Sequence, residues 1–164
     1  MRRVLLPLLL ALGLSASMAA AQIRFPGIIP RRPAQPPQQQ LVGIDALRAE
    51  FVAQSGSASV YFGGDSAVLS PGAKATLEAQ ARWLRLHPAV VVQIEGHADP
   101  SDTRDHALAV GARRAQEVRD QLILLGVPAA QLTAVSWGKE RVAVMGASDA
   151  ALALNRRVET VLVR

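Results

Sequence analysis

The stretch from Val90 to Leu125 constrains the fold most. Val90, Val92 and Ile94 alternate with Val91, Gln93 and Glu95, the pattern of a strand with one strongly apolar face. The strand runs into a Gly96-His97-Ala98-Asp99 turn. After a short polar segment, Leu108, Ala112, Ala115, Val118, Leu122 and Leu125 trace the apolar stripe of a long helix. A strand and a helix joined by so short a reversal must pack against each other. The reversal also brings an acid towards a base. Asp99 and Arg114 stand fifteen positions apart, on either side of it. A carboxylate and a planar guanidinium so placed suit one small zwitterion, the first accepting from an ammonium and the second donating two parallel bonds to a carboxylate. Adjacent helical positions point about 100° apart, so only one of Arg113 and Arg114 can face the turn.

The remaining elements follow the same periodicities. Ile44, Leu47 and Phe51 recur at helical spacing, and Ser59 to Phe62 reads as a strand. Ser70-Pro71 starts a second helix, with the serine as N-cap and the proline in the first turn. Ala73, Leu77, Ala81 and Leu84 form its buried stripe, and Pro88 ends it near His87. Gly126 and Pro128 stop the long helix. Leu132 to Trp137 reads as a strand, Ala147 to Leu154 as a short helix, and Arg157 to Val163 as a closing strand. Strands alternating with helices predict an α/β (α+β) sandwich, with helices packed on one mixed four-stranded sheet. Strand order is not readable from periodicity.

The domain organisation is read as three segments. Residues 1–21 are expected to be a signal peptide: Arg2 and Arg3, an apolar run from Val4 to Leu14, then Ala19-Ala20-Ala21 before a cut at Gln22. The run is short for a membrane span, and its retention as an anchor is the alternative. Residues 22–40 form a Pro/Gln-rich linker with five prolines and the run Gln38-Gln39-Gln40, a composition that favours extended geometry. Residues 41–164 form one domain. Export implies a periplasmic destination, with association to the outer membrane or cell wall as the further expectation. The absence of cysteine leaves neither a disulfide nor a thiol for lipid attachment.

The high pI invites a nucleic-acid reading that the charge map excludes. Five of the 18 basic residues and none of the 13 acidic ones precede Leu41, so the domain carries 13 of each. It has no bulk basic field, and with one Tyr, three Phe and two Trp it offers little base-stacking surface. Enzyme chemistry has no signature either. Ser66, Ser101 and Ser136 lack a triad pattern, and the cluster of His97, Asp99, Asp102, Asp105 and His106 fits no short metal motif. No cofactor is expected.

Several blocks occur together in order: Val60-Tyr61-Phe62 with Asp65-Ser66, Ile94-Glu95-Gly96-His97 with Asp99, Thr103-Arg104, Ala109-x-Gly111-x-Arg113-Arg114-Ala115, Gly138-Lys139-Glu140-Arg141, and Asn155-Arg156-Arg157-Val158-Glu159. With these blocks the chain, from about Val60 to Arg164, resembles the OmpA-like C-terminal domain, and within it the peptidoglycan-associated lipoproteins of Tol-Pal systems. The resemblance implies a non-catalytic module that binds the diaminopimelate side chain of the peptidoglycan stem peptide. It implies Asp99 as the key acid and Arg114 as the key base. The matched blocks add His97, Asp65, Thr103 and Arg157 to the expected binding residues. Arg156 and Arg157 alternate across a strand, so at most one is free for a ligand. Envelope proteins of a Tol-Pal-like system are the implied protein partners. Departures are Gly63 and Gly64 where the family usually has Asp and Phe, Ala107 for an asparagine, and Asp102 for a glycine. They motivate an alternative: an interaction module on this fold with weakened or lost peptidoglycan binding.

Overall fold

The computed structural model describes residues 37–163. The expected signal peptide and most of the expected linker lie outside them. Helix α1, Pro37–Ser55, begins inside the stretch assigned to the linker. Proline is tolerated in a first turn, where its missing N–H has no partner to lose, and the glutamines that follow are good helix formers. There follow β1 (Ser59–Tyr61), α2 (Pro71–Leu86), β2 (Val92–His97), α3 (Arg104–Leu124), a 3-10 turn (Ala129–Gln131), β3 (Leu132–Gly138), α4 (Asp149–Asn155) and β4 (Arg157–Leu162). The four strands form one mixed sheet in the order β1-β4-β2-β3. Strands β2 and β3 are parallel, and β4 is antiparallel to both β1 and β2. The four helices pack on this sheet, the architecture the sequence periodicities predict.

The start signals act as expected. Ser70 Oγ accepts from the Ala73 amide at 3.1 Å, with Pro71 as the first helical residue. Leu77 and Leu84 of α2 are fully buried, as are Val92 and Ile94 of β2 and Val118 and Leu122 of α3. Together they are the core between helices and sheet. Trp83 belongs to it: its ring meets Phe51 edge-on at 5.2 Å, stacks on His87 at 3.8 Å, and donates from Nε1 to Glu50 at 3.2 Å.

The long helix sits unusually close to the central strand. A Cβ placed on Gly96 would lie 1.9 Å from the Gly111 carbonyl oxygen, and one on Gly111 would lie 2.8 Å from that of Gly96. Only a glycine pair permits this contact. It lowers α3 onto β2 at the point where the strand enters the Asp99 turn. It also sets Arg114, nearly one turn beyond Gly111, beside the strand end.

The periodicity reading places β2 two residues early. The strand runs through Gly96 and His97, because β3 continues to pair with it there, Gly96 with Ser136 and His97 with Gly138. His97 is therefore a strand residue, and the reversal begins after it.

Candidate functional site

Three segments converge at the carboxyl end of β2: the turn after His97, the loop from Gly63 to Ser66, and Arg156 at the end of α4. Asp99 is the acid at their centre and is 9% exposed. Its Oδ1 accepts from the Ser101 amide at 3.1 Å and from the Ser101 hydroxyl. Its Oδ2 accepts from Arg156 Nη1 at 3.1 Å. Burial pushes the Asp99 carboxyl up, but the two Ser101 donors and Arg156 outweigh it and hold its pKa below the ordinary aspartate value. An ionised carboxylate offers about four acceptor positions. Three are taken, and the remaining one suits a single further donor.

Arg114 is fully buried. Its Nε donates to the Ser66 carbonyl at 2.9 Å, Nη1 to the His97 carbonyl at 2.8 Å, and Nη2 to the Gly64 carbonyl. The Phe62 ring covers the guanidinium at 5.3 Å. Burial lowers its pKa, Asp65 works against that, and Arg156 adds to it. Arg113 is exposed, as the helical geometry requires. Arg114 is thus the arginine turned to the turn and loop, the one of the pair that the family resemblance implies. Its donors, however, brace the loop to the strand end and do not open to solvent.

The other expected residues divide. Asp65 is exposed, and its Oδ2 lies 3.1 Å from His106 Nε2, at the rim of the same region. Thr103 is the N-cap of α3, accepting from the His106 amide at 3.4 Å, so its hydroxyl serves the helix. Arg157 is corrected. It points to the opposite face of the sheet, with Nε donating to Glu159 at 3.0 Å and Nη2 to the Arg141 carbonyl at 3.4 Å. The arginine beside Asp99 is Arg156: the matched blocks singled out Arg157, whereas alternation required only that at most one of the two be free for a ligand. Arg156 is the C-cap of α4, where strand alternation does not apply.

His97 also faces away from Asp99, and only its carbonyl takes part, through Arg114. Its ring lies on the opposite sheet face, near Glu95 and Glu159. There burial, and then Arg157, lower its pKa to about 4, against an upward pull from Glu159. Arg141 covers this face, its guanidinium 3.4 Å above the Trp137 ring and 3.7 Å from Glu95 Oε2. Trp137 is therefore a half-buried residue of the open sheet face, unlike Trp83.

Asp99 is thus a nearly buried acid at a strand end, held by Ser101 and Arg156 on a helix-on-sheet scaffold. The model of the OmpA family matches residues 61–156, and the chain belongs to that family. The chain is 42% identical over 103 residues to a peptidoglycan-associated lipoprotein of Rhizobium meliloti, covering 63% of this chain and 58% of the relative. It is 40% identical over 116 residues to one of Pseudomonas aeruginosa, covering 71% and 68%. A crystal structure of the peptidoglycan-associated lipoprotein from Burkholderia pseudomallei is 40% identical and superposes with a TM-score of 0.64, over 66% of this chain and 92% of that one. The C-terminal domain of Helicobacter pylori MotB shares the fold at 22% identity and a TM-score of 0.61. The match to the Rhizobium relative leaves about two fifths of that protein without a counterpart here.

Proposed function

We propose that this chain is a periplasmic protein that binds peptidoglycan through the diaminopimelate residue of the stem peptide and helps to tether or organise the envelope. The free end of diaminopimelate carries an ammonium and a carboxylate on one carbon. Asp99 receives the ammonium at its remaining acceptor position. The carboxylate falls to Arg156, whose Nη2 makes no hydrogen bond among the described residues. Arg114 acts from behind as a positioning residue, holding the Gly63–Ser66 loop and the His97 carbonyl around the pocket. This division departs from the expectation that Arg114 is itself the carboxylate ligand. The observation that carries it is the contrast between a fully buried Arg114, donating to three carbonyls, and a partly exposed Arg156 beside Asp99.

Two charge-assisted contacts contribute about 1.5–3 kcal/mol each, so one site binds with moderate strength and many sites on one sacculus hold firmly. Membership of the OmpA family and relatives named for association with peptidoglycan support the ligand. Partners among the envelope proteins of a Tol-Pal-like system belong to the same reading. The test is co-sedimentation with diaminopimelate-type sacculi, with free diaminopimelate as competitor. Sedimentation that the competitor reverses is the expected result. Failure to sediment would leave the fold as a protein-interaction module.

A further inference from the structure

We propose a divalent-cation site, suited to Zn2+, on the sheet face opposite the helices, formed by Glu95, His97 and Glu159. It is separate from the Asp99 pocket and does not depend on the peptidoglycan reading. Glu95 and Glu159 are direct cross-strand partners of β2 and β4. Like charges in that register repel, and only two arginines at the edges of the cluster offset them. His97 is two residues along β2 on the same face, and one donor atom from each of the three lies within 4.8 Å of the others.

The independent observation is the His97 ring. It is 1% exposed, and among the described residues neither Nδ1 nor Nε2 makes a well-formed hydrogen bond, the Arg141 backbone offering only a longer, weaker contact. A buried polar side chain in that state has lost its hydration without equal replacement, which costs about 1–3 kcal/mol. His97 Nε2 points to Glu95 Oε2 at 3.9 Å, too long for a hydrogen bond. Zinc bonds to imidazole nitrogen and carboxylate oxygen of about 2.0–2.2 Å require donor separations of roughly 3.4 Å in a tetrahedral site. The His97–Glu95 pair therefore has to close by only about half an ångström, within side-chain adjustment. The ring stays neutral at physiological pH and keeps a lone pair for the metal. An imidazole with two carboxylates favours zinc over the oxygen-seeking alkaline-earth ions, and leaves a fourth position for water.

Two arginines face the cluster and set the cost. Arg157 Nε holds Glu159 Oε1 at 3.0 Å and is buried, so it stays. Arg141 lies 3.7 Å from Glu95 Oε2 with its side chain more than half exposed, so it can swing into solvent when a cation takes its place. With Arg141 displaced, Glu95 is left without a counter-charge, which the cation supplies.

The test is calorimetric titration of the chelator-treated full chain with ZnCl2, alongside Glu159→Gln, His97→Ala and His106→Ala. His106→Ala removes the exposed Asp65, Asp102 and His106 group, the other set of clustered ligands among the described residues. The expected result is one ion per chain, with at least tenfold weaker binding in Glu159→Gln and His97→Ala and unchanged binding in His106→Ala. Glu159 is partly exposed, so its variant remains informative if His97→Ala does not fold. Absence of saturable binding, or binding that is lost only in His106→Ala, would overturn the site. Sacculus binding by the zinc-free protein is measured in parallel, so failure of this site is distinct from failure of peptidoglycan recognition.

Discussion

Arg156 Nη1 lies 3.1 Å from Asp99 Oδ2, joining residues 57 positions apart in the chain. The contact ties the end of α4 to the turn after β2. It also places a partly exposed guanidinium against the acid on which the proposed function depends.

Replacing Arg156 separates the two arginine roles. Arg156→Gln removes the charge and keeps most of the side-chain volume. It should weaken binding to sacculi by about 1–3 kcal/mol, roughly five- to more than a hundredfold. Thermal stability should fall as the Asp99 contact is lost, but by less than in Arg114→Gln. Arg114→Gln should lower both binding and the melting temperature, because three backbone carbonyls lose their donor. Co-sedimentation and calorimetric melting on the same samples check this. Sacculus binding by Arg156→Gln equal to wild type would return the carboxylate to Arg114.

Asp99 makes acid stability a readout of the turn. Its folded-state pKa lies below the ordinary aspartate value, so its ionised form favours the fold. The contribution is fully present above about pH 4, the value of an unperturbed aspartate, and is lost as pH falls through the lowered folded-state value. Asp99→Asn should therefore cost stability at pH 7, with the gap to wild type closing below pH 4. Denaturant midpoints across pH 2.5–7 provide the measurement. A gap that persists at the acid end would mean that the loss comes from packing and not from charge.

The Gly96–Gly111 contact predicts a stability effect near the site without touching it. A Cβ on Gly111 would lie 2.5 Å from Ser136 Oγ as well as 2.8 Å from the Gly96 oxygen. Gly111→Ala should therefore destabilise, by about 1–3 kcal/mol for an overpacked position, although alanine is the better helix former. Gly96→Ala should be worse, since its Cβ meets backbone at 1.9 Å. Urea unfolding checks the order, and a Gly111→Ala protein as stable as wild type would show that the helix can lift off the strand at no cost.

Ser70→Ala tests the local signal that starts α2. It removes the acceptor for the Ala73 amide and should cost about 0.5–2 kcal/mol in the same urea assay. Ser70→Asp should retain most of the stability, because a carboxylate caps equally well and suits the helix dipole.

Much of the fold was legible because its signals are local. Ser70-Pro71 and Pro88 bound α2, and its apolar stripe becomes its buried face. On α3 the stripe holds for Ala115, Val118 and Leu122, whereas Ala112 is exposed and Val110 is buried in its place. Asp99 was legible for a similar reason: an acid in a short reversal between a strand and a helix has few places to go. Helical geometry allowed only one of Arg113 and Arg114 to face the turn, and the family resemblance picked Arg114.

The sequence therefore carries the periodic elements, the Ser70 cap of α2 and the acid at the strand end. Each depends on residues within a few positions of one another. The tertiary structure decided the sheet order, which rests on contacts between distant strands. It also decided that Arg156 and not Arg157 meets Asp99, because the boundary between α4 and β4 falls between them. It turned Arg114 inward on three carbonyls that come from two other segments. And it set Glu159 beside Glu95 and the buried ring of His97, since cross-strand register is a property of paired strands and has no trace in either strand alone.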